Sequence, residues 1–128
     1  MLQRGGGQIG IMSSLAGYRG FPGAPAYCAS KAAVKVWGEA LRGEVAARGV
    51  GVSVIMPGYV KSPMTAVNNF PMPFLMSAER AATIVKRGLE ANRARIAFPF
   101  PTAVVAWLIG ALSPAITDPI LARLPKKG

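Results

Sequence analysis

The stretch VGVSVIM, residues 50–56, narrows the choice of fold more than any other, because it is β-branched and apolar on both faces. Such a strand has no side to offer to water, so it belongs inside a parallel sheet covered by helices on its two faces. Its neighbours agree. QIGIMSS at 8–14 reads as another short buried strand, with Ile9, Ile11 and Met12 bounded by glycines behind and serines ahead. LAGYRGFPGAP at 15–25 is a loop, since its three glycines and two prolines would not be tolerated inside a helix. From Ala26 to about Arg48, the residues Ala29, Ala33, Val36, Trp37, Ala40, Leu41 and Val45 recur at helical spacing. They predict a helix with an apolar stripe, while Lys35, Glu39, Arg42 and Arg48 fall largely off it. Gly49 and Gly51 end that helix.

Further on, SAERAATIVKRGLEAN at 77–92 predicts a second helix, opened by Ser77, with Glu79 in the first turn and Ala81, Ile84, Val85 and Leu89 on its apolar face. ARIAFPF at 94–100 reads as a third short strand. The tail beyond it alternates apolar helix-like stretches with prolines at 101, 114, 119 and 125. Strand, helix, strand, helix, strand predicts an α/β chain with a doubly wound parallel sheet. No repeat or linker divides it, so residues 1–128 form one domain or part of one, with 99–128 as an apolar C-terminal extension.

In 128 residues, a hydrophobic share of 52% is high for a small domain. The mean hydropathy of +0.36 agrees. Some apolar surface must therefore be meant for a cover. The net charge of +10 raises a nucleic-acid partner, but the cations are scattered and no nucleic-acid-binding signature accompanies them. A single cysteine, Cys28, and the absence of histidine exclude Cys/His zinc sites and histidine triads, and they favour a reducing, cytoplasmic setting. MLQRGGGQIG lacks the apolar core of a signal peptide. The longest apolar run, AVVAWLIGAL at 103–112, is about half of what a spanning helix needs.

The chemistry concentrates in YCASK, residues 27–31. Four residues apart on a helix, Tyr27 and Lys31 project from one face, with only small side chains between them. An ammonium beside a phenol favours the phenolate, which fits the tyrosine for proton transfer near neutral pH. Ser14 ends the first strand thirteen residues earlier, where its hydroxyl can bond a substrate carbonyl. Pro57 and Gly58, followed by Val60 and Ser62, leave the next strand at the same edge. Open parallel sheets bind ligands in the crevice at those carboxyl ends.

IMSSLAG, YCASKAAV and PGYVKSPM, in this order and spacing over roughly residues 8–64, resemble the short-chain dehydrogenase/reductase family. The resemblance implies reversible hydride transfer between NAD or NADP and an alcohol/carbonyl pair. It implies Tyr27 as the acid/base, Lys31 on the nicotinamide ribose, and Ser14, rather than Ser13, on the substrate oxygen. It also implies Pro57, Gly58, Val60 and Ser62 beside the nicotinamide, and no metal. The family's opening glycine-rich turn, Asn-Asn-Ala-Gly strand end and structural asparagine have no counterpart here. The pattern G-x-G-x-x-G at Gly5, Gly7 and Gly10 precedes a strand instead of following one, so it is read as a decoy. The chain is therefore expected to be a partial Rossmann-like sheet of about three C-terminal strands without the N-terminal cofactor-binding half. By itself it is expected to be inactive.

Two alternatives stand beside the enzyme: a non-catalytic remnant that binds a partner such as a homologue, and a basic peripheral membrane protein. For the tail, a cover over the cleft or a subunit interface is favoured over a membrane surface, which Trp107, Arg123, Lys126 and Lys127 would otherwise suit. Cys28 reads as a small buried helix residue. Phe21, Phe70, Met72, Phe74 and Met76 point to an apolar pocket and a lipid-like or aromatic carbonyl substrate. A full-length protein would be a homo-oligomer by the same resemblance.

Overall fold

The computed structural model describes residues 1–58 and 75–122. Three strands, β1 (Gly7–Met12), β2 (Val50–Pro57) and β3 (Arg95–Phe98), form one parallel sheet in the order β1-β2-β3. The register sets Met12 opposite Ile55 and Pro57 opposite Phe98. β2, the strand apolar on both faces, is the central one. Gly7 and Gly10 of the glycine pattern lie within β1.

Helix α1 (Pro25–Val45) crosses from β1 to β2, and α2 (Ala78–Glu90) leads into β3. Two further helices, α3 (Phe100–Ala111) and α4 (Pro114–Leu121), follow. One face of the sheet packs Val54 and Met56 with Leu15 and with Ala103 and Ala106 of α3. The other packs Ile55, Ile96 and Phe98 with Met76 and Ala81. Met76, expected near a substrate pocket, is thus part of this second core.

The ends of α2 are as its sequence predicts. The Ser77 hydroxyl accepts from the Arg80 N–H at 3.2 Å. At its close, Asn92 takes a left-handed conformation with φ of 51°. Arg93 N then donates to Gly88 O and Asn92 N to Leu89 O, both at 3.0 Å, which satisfies the last carbonyls.

Helix α1 departs from expectation. Its alanine stripe faces outward: Ala29, Ala33, Val36 and Ala40 are exposed and Trp37 is 60% exposed. The sheet side is carried by the buried Cys28 and Gly38. A methyl group on Gly38 would lie 2.8 Å from Val54 Cγ2 and 3.2 Å from Ile11 Cδ1, so glycine sets the approach of helix to sheet. Lys35, Glu39 and Arg42, expected outside, turn inward and find partners. Arg42 donates to Val52 O at 2.6 Å and to Asn92 O at 2.9 Å. Half-buried cationic stems supply apolar packing here while their heads are hydrogen-bonded.

Candidate active site

β1 ends in two serines with different environments. The Ser13 N–H donates to Ile55 O at 2.7 Å, continuing the ladder one residue past the strand. Its side chain is 2% exposed and donates to the main-chain carbonyl of Lys31 at 2.8 Å. That bond ties the strand end to the first turns of α1. Gly17 completes the contact: a methyl group there would meet Ser13 Oγ at 3.0 Å and Lys31 O at 3.1 Å. Ser14 caps the short 3-10 turn Leu15–Tyr18, its hydroxyl oxygen accepting from the Ala16 N–H at 3.1 Å. The hydrogen of that hydroxyl is still able to donate.

Pro25 opens α1, and its fixed φ suits a first helical turn. Tyr27 follows in that turn with 42% exposure. The Lys31 ammonium stands 5.6 Å from the Tyr27 ring centroid, so the two share a face as their spacing predicts. Between them, Cys28 is buried and its sulfur accepts from the Phe21 N–H at 3.4 Å, fastening the loop to the helix.

Beyond β2, the Gly58 N–H donates to Phe98 O at 2.8 Å. A methyl on Gly58 would lie 3.2 Å from Leu15 Cδ1, so this segment packs on the residue that follows Ser14. Ser14, Pro57 and Gly58 are thereby brought to one edge of the sheet, and Ser13 ties that edge to the helix carrying Tyr27 and Lys31. Val60 and Ser62 lie outside the described residues, as do Phe70, Met72 and Phe74. Clefts of about 510 and 570 Å³ are present among the described residues, and neither of these is lined by Ser14, Tyr27 or Lys31. The first lies against Tyr18, Arg19, Phe21 and Cys28.

Sequence reasoning missed the polar anchors of the loop after Ser14. The Tyr18 ring has Lys35 Nζ 5.7 Å and Arg95 Cζ 5.4 Å from its centroid. Glu39 joins the two cations, accepting from Arg95 Nε and lying 3.6 Å from Lys35 Nζ. Burial by itself would raise the Glu39 carboxyl, but the hydrogen bond and charge of Arg95, helped by Lys35, outweigh it and hold it below its ordinary value. The Arg95 guanidinium is pushed up by the same hydrogen bond. Next in the chain, Arg19 donates to Asp118 at 2.6 Å and to Thr117 at 3.3 Å, linking the loop to α4. Only the Lys35–Glu39 pair, four apart on a helix, left a signal in the sequence.

A family model described as short chain dehydrogenase matches residues 1–71. An uncharacterized oxidoreductase of Myxococcus xanthus is 41% identical over 124 residues, covering 97% of this chain and 49% of that protein. A 3-oxoacyl-[acyl-carrier-protein] reductase of Rickettsia prowazekii is 45% identical over 65 residues, 51% of this chain and 27% of that one. Among solved structures, a short chain dehydrogenase from Burkholderia cenocepacia in complex with NADP superposes with a TM-score of 0.77 at 26% identity, covering 97% of this chain and 50% of that one. The chain spans about half the length of the first of these curated relatives. The family model matches more than half of the residues, and the chain belongs to the short-chain dehydrogenase family.

Proposed function

We propose that this chain supplies the catalytic side of an NAD(P)-dependent oxidoreductase that interconverts an alcohol and a carbonyl. The observation that carries the reading is the stacking of Lys31 against Tyr27, one helical turn apart, on a helix hydrogen-bonded to the strand end that bears Ser14. In this reading Tyr27 gives a proton to the carbonyl oxygen in reduction and takes it back in oxidation. Ser14 donates to the same oxygen. The choice of Ser14 over Ser13 follows from hydrogen bonding, since the Ser13 hydrogen is committed to Lys31 O.

The donor set also fits a nicotinamide nucleotide. A lysine ammonium and a phenol suit the hydroxyls of a ribose, so Tyr27 and Lys31 would hold that sugar. Pro57 and Gly58, with Val60 and Ser62, would border the nicotinamide; a methyl on Gly58 would press on Leu15 and Pro99 at 3.2 Å. When bound, the nucleotide supplies or accepts the hydride. NAD and NADP both remain candidates. The name of the 3-oxoacyl reductase relative supports a ketone on an apolar chain as substrate.

A second reading is favoured by the outer edge of β1, which has no strand beside it among the described residues. It makes the chain a non-catalytic module that docks on a homologue through that edge. Assays of NADPH and NADH consumption with 3-oxoacyl thioesters and simple ketones, on the 128-residue chain and on a full-length protein completed with the N-terminal half of a relative, test the two. Turnover by the full-length protein with an inactive short chain supports the first reading. Absence of turnover with stable capture of a homologue supports the second.

A further inference from the structure

Residues 19–24, RGFPGA, join the turn that Ser14 caps to the helix turn that bears Tyr27. With two glycines and a proline they form neither helix nor strand, so the segment has little stiffness of its own. Neutral ties hold it to itself and to α1. The Ala24 N–H donates to Phe21 O at 3.2 Å, and the Phe21 N–H to the Cys28 sulfur, a weak acceptor. The charged tie comes from α4, where the Asp118 carboxylate accepts from the Arg19 guanidinium at 2.6 Å and the Thr117 hydroxyl accepts at 3.3 Å.

Burial makes this pair more than a surface contact. The Arg19 side chain is 17% exposed, and its Nε is buried with no hydrogen-bond partner among the described residues. Thr117 is buried and gives its own hydrogen to Ser113 O at 3.3 Å, which fixes its oxygen where Arg19 reaches it. Asp118 is 68% exposed, and between two such exposed groups an ion pair counts for little. Here its loss would strip a largely buried cation of its counter-charge, and swinging the loop outward is the way to hydrate that cation. A single carboxylate on α4 thus holds the loop closed. We propose that Arg19 and Asp118 are a positioning pair, through which α4 fixes the loop between Ser14 and Tyr27 and with it the spacing of the two hydroxyls that act on one substrate oxygen. The proposal rests on the catalytic reading of those two residues.

Cys28 reads the state of the loop directly, because it is the only thiol of the chain, is buried, and is bonded by the Phe21 N–H. In the 128-residue chain, Asp118→Ala should speed the reaction of Cys28 with an aromatic disulfide reagent about tenfold or more. The urea midpoint should stay that of the parent, since only the loop opens. Asp118→Glu, which keeps the charge, should restore protection. Glu90→Gln, which removes the carboxylate of the exposed Lys86–Glu90 pair, should leave Cys28 protected. In a full-length protein completed with the N-terminal half of a relative, Asp118→Ala should lower kcat for a ketone about tenfold or more and leave nucleotide affinity unchanged. The proposal is overturned if Cys28 stays as protected in Asp118→Ala as in the parent, or if it already reacts freely in the parent. It is equally overturned if exposure of Cys28 only follows a fall in the urea midpoint, or if the loop opens and kcat does not change. A completed parent without turnover would overturn the catalytic reading and the spacing role with it, while Cys28 protection still decides whether the pair holds the loop.

Discussion

The Ser13 hydroxyl donates to the Lys31 carbonyl across 2.8 Å, so the end of β1 and the first turns of α1 are held by a buried hydrogen bond. That bond fixes where Ser14 stands relative to the Tyr27–Lys31 face. Ser13→Ala leaves the Lys31 carbonyl without this donor and should cost about 1–2 kcal/mol of stability. Ser14→Ala should cost less stability and more activity. Urea unfolding and steady-state turnover, measured on both variants of the full-length protein, separate the two serines. Equal activity losses in both would argue against distinct roles.

Gly38, not the alanine stripe, sets how α1 meets the sheet. Gly38→Ala places a methyl 2.8 Å from Val54 Cγ2 and should destabilise by about 1–3 kcal/mol. Trp37→Ser, next to it on the outside, should change stability by no more than about 0.5 kcal/mol. Denaturant midpoints check both. The reverse order would mean that the helix is rotated with its stripe inward.

The Glu39 carboxylate gives the fold a pH dependence of definite sign. Its folded-state value lies below the ordinary 4.5, so the unfolded chain takes up the proton more readily. Its contribution is therefore complete above about pH 4.5 and is lost as pH falls through the lower folded value. Because the side chain is partly exposed, the contribution should stay under about 1 kcal/mol. Parent and Glu39→Gln stabilities, compared from neutrality down to about pH 3, should converge on acidification. Divergence would contradict the assigned partners.

Much of this was legible in the sequence because it rests on local pattern. The both-sided apolarity of residues 50–56 announced the central strand, Ser77 the cap of α2, and the four-residue spacing the Tyr27–Lys31 pair. Periodicity also found the stripe of α1, yet it cannot say which side of a helix faces inward. Here the inward side is marked by Gly38 and Cys28, whose small size counts for little in a hydropathy pattern. The Glu39–Arg95 contact joins residues 56 apart, so only the folded sheet reveals it. Met76 looks like a pocket residue in the sequence, because an apolar side chain near a loop has the same signature whether it lines a cavity or, as here, closes a core.

Cofactor affinity gives a further check on Lys31. Lys31→Met removes the ammonium beside Tyr27 while keeping an unbranched side chain. In the full-length protein it should weaken NADPH or NADH binding by about tenfold or more, as loss of a charged hydrogen bond does. Unchanged nucleotide affinity, read by nucleotide fluorescence, would remove Lys31 from the ribose.

The most direct measurement is the reduction of a ketone substrate by the full-length protein carrying Tyr27→Phe. Loss of the phenolic proton should lower kcat by about 10²–10⁴-fold while leaving nucleotide binding nearly intact. A Tyr27→Phe protein that turns over at the parent's rate would contradict the assignment of proton transfer to this residue.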